Sequence, residues 1–205
     1  MLGFLEKFER EKSALPVRFF SVDLLRALWL LRAGRISRSA LARGLGIGEG
    51  SVRTIISFLL VEGVVEISRE GVALSKKGAA VVGEFEGTAC GSHFSERALS
   101  FGKPGFLVRI RDLGKPRDNG QAARDLAVRM GADGATIFFA QGGKLLLPFD
   151  SAGNKNFFGE KTVESVCRAC GSMEDGDVFM LAFGSDACGV QRGAWSVAAT
   201  LMKPR

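Results

Sequence analysis

A chain of 205 residues, 46% of them apolar, is long enough for one large or two small packed cores and too hydrophobic to be globally disordered. Its net charge of +6 suits an anionic partner without identifying one. Four cysteines and no uncharged apolar run of membrane-spanning length argue against a disulfide-built secreted scaffold or a membrane span, and for a reducing cytoplasm.

The opening segment MLGFLEKFEREK turns charged after five residues and lacks a small-residue cleavage site, so no leader is expected. Leu2, Leu5 and Phe8 instead predict a short amphipathic helix, offered to a neighbouring domain or a second subunit. Ser21 is expected to cap a helix over Val22 to Ala33, with Trp29 in its core and Gly34 ending it.

Residues 37–75 are the most informative. Ser37 caps a helix bearing Ala40, Leu41 and Leu45, with Arg38 and Arg43 off that face. Gly44, Gly46, Gly48 and Gly50 allow a sharp turn. A helix, not a strand, precedes these glycines and no Gly-Lys-Ser/Thr follows, so they are not read as a nucleotide-binding loop. The next helix is expected to bury Val52, Ile55, Ile56, Leu59 and Leu60, leaving Ser51, Arg53, Thr54 and Ser57 outward. Two short apolar runs, at Val64–Ile67 and Val72–Leu74, flank Ser68-Arg69-Glu70-Gly71 as a hairpin. Between Ala14 and Phe58 there are seven Arg, no Lys, and only Asp23 and Glu49 as acids, so positive charge is densest over these helices.

The segments LARGLGIGEGSVRTIISFLLVEGVVE and GVALSKKG resemble archaeal winged-helix transcription regulators over roughly residues 20–82. The resemblance implies that the second helix of the helix-turn-helix is the recognition helix and the hairpin the wing. The whole layout also resembles an archaeal family that joins such a winged helix to an uncharacterised α+β C-terminal domain. The DNA contacts expected on this basis are Ser51, Arg53, Thr54 and Ser57 in the major groove. Arg38 and Arg43 would hold phosphates, and Arg69 would reach the backbone or minor groove.

The expected division is a DNA-binding domain over 1–86, a linker over 87–105, and an α+β sensing or dimerisation domain over 106–205. The last reads as a strand at 106–110, a helix at 121–130, a strand pair at 135–140 and 144–148, a helix at 162–170, a strand at 177–183 and a helix at 187–202. That order suggests a ferredoxin-like βαββαβ(α) sheet with helices on one face and an extra C-terminal helix. Two strand-to-helix loops could bind a small anionic effector at helix N-termini, through Lys115, Arg117 and Asn119 in one and Ser185 and Asp186 in the other. Cys90, His93, Cys167 and Cys170 have zinc-ligand chemistry, but the paired cysteines also suit helix packing, and neither a metal nor another cofactor is expected. His93 is the single histidine, and no nucleophile motif accompanies it, so no enzyme is expected.

The reading is a cytoplasmic transcriptional regulator that binds double-stranded DNA as a homodimer, with Leu2, Leu5, Phe8 and the outer face of the last helix as dimer contacts. Its alternatives are a protein-protein or RNA-binding module, or an enzyme with an accessory winged helix.

Overall fold

In the computed structural model, which describes residues 3–11, 19–114, 116, 120–148 and 158–202, helices and antiparallel sheets divide between two units, Met1–Glu86 and Gly87–Arg205. The first unit contains α1 (Gly3–Glu11), α2 (Val22–Leu31), α3 (Arg38–Leu45), α4 (Glu49–Val61), the hairpin β1 (Val65–Ser68) and β2 (Gly71–Leu74), and most of α5 (Lys76–Thr88). Leu24, Leu28, Leu41, Leu45, Val52, Ile55 and Leu59 fill its core. Leu5 and Phe8 of α1 are buried in the same unit, with Phe8 stacked on Phe19 and edge-on to Phe58. They are therefore not available as the dimer contacts expected from sequence, and Leu2 lies outside the described residues. Trp29 is core, packed edge-on to Phe85 under the Arg32 guanidinium.

Ser21 does not cap α2 with its side chain. Asp23 does so instead, its carboxylate accepting the Phe20 N–H at 3.0 Å. Ser75 opens α5 by accepting the Gly78 N–H and donating to the Gly63 carbonyl. Gly78 is glycine because a Cβ there would overlap the Val64 carbonyl, against which the first turn of α5 rests.

The second unit runs β3 (Ala89–Phe94), α6 (Arg97–Ser100), β4 (Gly105–Ile110), α7 (Gln121–Arg129), β5 (Gly134–Gln141), β6 (Lys144–Leu146), α8 (Glu160–Cys170), β7 (Val178–Phe183) and α9 (Ala187–Leu201). Its sheet has the order β3-β4-β7-β5-β6, every neighbouring pair antiparallel. Two expectations are corrected. The supposed linker at 87–105 carries β3 and α6 and supplies an edge strand. The ferredoxin-like order fails because the strand after the second helix, β7, lies between β4 and β5, whereas that fold leaves it at an edge.

The reason is composition. Val178-Phe179-Met180-Leu181-Ala182-Phe183 is apolar at every position and buried throughout, which requires cover on both faces. The three-residue β6, opened by exposed Lys144, suits an edge. Helices accordingly cover both faces rather than one. Val166 and Cys170 of α8 pack on Leu107, Phe138, Phe179 and Leu181. On the opposite side α7 and α9 pack on β4, β5 and β7, with Trp195 of α9 against Phe106. Most of α9 is buried there, so it too offers little of the outer face expected for dimer contacts. Among the described residues no single helix is long and apolar enough to cross a membrane.

Candidate nucleic-acid interface

The site grows out of how α3, α4 and the hairpin are held. The turn Gly46-Ile47-Gly48 joins α3 to α4 at an angle of 107°. Gly46 makes this possible with a left-handed backbone, its N–H returning to the Ala42 carbonyl at 2.9 Å. Arg26 of α2 is buried and ion-paired to Asp23 at 2.6 Å, and it donates to the Leu45 carbonyl at 3.0 Å, fixing the end of α3. Ser37 starts α3 by accepting the Ala40 N–H. With Val52, Ile55, Ile56 and Leu59 buried, the 3.6-residue period leaves Arg53 and Ser57 exposed on α4, and it carries Leu60, expected on the buried face, out to 46% exposure.

The hairpin is tied to the start of α3 by a bridge between Ile36 and Val72, with N–H···O distances of 3.0 and 2.9 Å. Arg35 strengthens the joint, donating to Ser68 Oγ at 2.7 Å and to Gly71 O at 3.3 Å, and pairing with Glu66 and Glu70. Glu66 and Glu70 would repel phosphate, and the Arg35 charge offsets them. An open groove of about 600 Å³ results, with Arg38, Arg53, Ser57 and Arg69 along it, and with Glu49 and Glu70 also on its wall.

Four of the seven expected contacts are thus gathered in one groove. Ser51, Thr54 and Arg43 do not line it. Thr54 is half-buried and turns its hydroxyl back to the Gly50 carbonyl at 3.3 Å. The arginine count in the sequence also overstated the charge available to a ligand. Arg26 is core, Arg32 covers Trp29 and pairs with Glu86, Arg35 serves the hairpin, and Arg18 lies outside the described residues. Sequence reasoning missed Ser39 and Ser68, which complete the groove wall. Their only signal was a place beside the α3 cap and the hairpin turn.

The other candidate sites do not assemble. Cys90 and His93 are three apart on β3 and so point to opposite faces, Cys90 towards α8 and His93 towards α9, where its Nε2 meets Gln191 at 3.3 Å. The four proposed zinc-ligating residues therefore do not meet. The strands that precede the two expected anion loops, β4 and β7, are antiparallel, so their C-terminal ends lie at opposite ends of the sheet. Asp186 occupies the N-terminus of α9 itself, accepting the Cys188 and Gly189 N–H groups at 3.0 and 3.1 Å. The Ser185 N–H goes to Asp133. Lys115, Arg117 and Asn119 lie outside the described residues.

Asp133 is held below the usual carboxylate range, first by its hydrogen bond to Lys103 at 2.9 Å and then by the Ser185 N–H. A depressed carboxylate stabilises the fold above its unfolded pKa of about 3.9 and loses that contribution as pH falls through its lower folded value. Lys103→Ala is expected to move the Asp133 titration upwards, as followed by NMR of its side-chain carboxyl.

Residues 101–201 match a family model described as "Domain of unknown function (DUF4443)". The match covers the second unit from the end of α6 through α9 and leaves the groove outside it. The structure is similar to "Hypothetical protein PH0730 from Pyrococcus horikoshii OT3", an archaeal protein, with a TM-score of 0.75 and 22% identity over 90% of this chain and 93% of that one. At that identity the likeness is one of fold. No curated protein matches the chain.

Proposed function

We propose that the first unit is a winged helix that binds double-stranded DNA, and that the protein is a transcriptional regulator. The observation that carries this reading is the groove that brings Arg38, Arg53, Ser57 and Arg69 together between α3, α4 and the hairpin. The 107° angle and three-residue glycine-bearing turn between α3 and α4 support it, since helix-turn-helix pairs meet at about 90–120°. In this reading α4 enters the major groove, Arg53 and Ser57 face base edges, and Arg38 and Arg69 hold phosphates on either side. One short helix reads few base pairs, so two copies act on paired half-sites.

The test is a salt titration of binding to labelled duplex fragments, with RNA of equal length as comparison. Affinity should fall steeply with salt for the duplex. Removing Arg38 or Arg69 should lower the slope of log affinity against log salt by about 0.9 for each lost phosphate contact. Arg53→Ala should weaken the best duplex by about 1–3 kcal/mol while leaving the melting temperature in place. Equal binding by wild type and the Arg38→Ala/Arg53→Ala/Arg69→Ala variant, or a preference for RNA, would overturn the assignment.

A further inference from the structure

On the sheet face covered by α8, Cys90 of β3 stands directly across from Arg109 of β4. Cys170, the last residue of α8, meets this pair. Cys90 Sγ lies 3.5 Å from the Cys170 carbonyl oxygen, which sets the two cysteines side by side. Arg109 Nη1 donates to that same carbonyl at 3.2 Å, while its Nε and Nη2 hold Asp177. Cys90 is half-buried, so a small oxidant can reach it, and Cys170 is enclosed in the core beside it. We propose that Cys90 and Cys170 form an oxidisable dithiol, in which Cys90 attacks a hydroperoxide and Cys170 converts the product to a disulfide joining β3 to the end of α8.

The proton arrangement suits this order. The Cys90 thiol is lowered to about 7, first by the Cys170 hydrogen bond, and further by the Arg109 and Arg111 charges and the Arg109 N–H, with burial acting against them. The Cys170 thiol is pushed up by the same hydrogen bond and by its burial. Of the two thiols, Cys90 is therefore the one that ionises first. The protonated Cys90 donates to the Cys170 carbonyl. When Cys90 ionises and that bond is lost, Arg109 Nη1 keeps the carbonyl oxygen paired.

In the first step the Cys90 thiolate attacks one peroxide oxygen, the O–O bond breaks and hydroxide leaves. The sulfur, oxidised by two electrons, becomes a sulfenic acid as the peroxide is reduced. In the second step the Cys170 sulfur attacks the Cys90 sulfur, the S–O bond breaks, and the departing hydroxide takes the Cys170 proton as water. A small dithiol reverses the bond by exchange.

The full chain should be treated with one equivalent of hydrogen peroxide, its free thiols counted, and its disulfides mapped by peptide mass spectrometry. The count should fall from four to two, with Cys90 linked to Cys170, and dithiothreitol should restore it. In Cys170→Ala the oxidised Cys90 should persist as a sulfenic acid trapped by dimedone. Four free thiols in the treated wild type, or a disulfide mapped to Cys167 or Cys188, would overturn the proposal without recourse to any variant.

Discussion

Asp177→Ala is expected to destabilise the second unit by about 3–5 kcal/mol, the cost of removing one partner of a buried ion pair. Asp177 is 1% exposed and Arg109 2%. The Asp177 Oδ2 receives Arg109 Nε at 2.8 Å, Arg109 Nη2 at 2.6 Å and the Glu174 N–H at 2.8 Å. Without the carboxylate the guanidinium keeps the Cys170 carbonyl as a partner but carries an uncompensated charge between the sheet and α8. Arg109→Met combined with Asp177→Leu should recover most of the loss, because an apolar pair removes the stranded charge as well as the bond. Chemical denaturation of the wild type and the two variants checks this. A single substitution costing under about 1 kcal/mol would mean that water reaches the pair.

Asp23→Ala should have an effect of similar size, about 3–5 kcal/mol, on the first unit. Asp23 and Arg26 are 0% and 1% exposed. Asp23 also accepts the Phe20 N–H, so the variant loses the cap of α2 together with the charge partner of Arg26. Arg26 fixes the end of α3, so on the proposed function duplex affinity should fall along with stability. The two tryptophans separate the two experiments. Trp29 is in the first unit and Trp195 in the second, so Trp195→Phe and Trp29→Phe backgrounds each leave one unit its own fluorescence signal. An unchanged Trp29 transition in Asp23→Ala would remove the ion pair from the account of α3 placement.

How far the sequence could be read depended on whether the deciding contacts were local. The α4 face was legible because Val52, Ile55, Ile56 and Leu59 follow one helical stripe, which in turn exposed Arg53 and Ser57. The groove was legible only in part, because no local pattern reveals that Arg35 is committed to the hairpin, thirty-three residues on at Ser68. β3 was misread because Cys90-Gly91-Ser92 looks like a linker. Gly91 is there because Trp195 and Phe106 close on the site a Cβ would occupy, which is the other use of a glycine in a strand. The sheet order was hidden for the same reason, since the neighbours of β7 lie about 40 and 70 residues away in sequence.

The central place of β7 also governs the timing of assembly. As the chain leaves the ribosome, β3 with β4 and β5 with β6 can each close as an antiparallel hairpin or ribbon, but no strand pairs the two halves until residues 178–183 emerge. Until then β4 and β5 each carry an unpaired apolar edge waiting for the same strand. Such non-local pairing slows folding, and the open edges expose the nascent chain to aggregation. A chain released before β7 would therefore not be a smaller version of this domain but two sticky half-sheets, so its yield in the soluble fraction should collapse rather than decline with length.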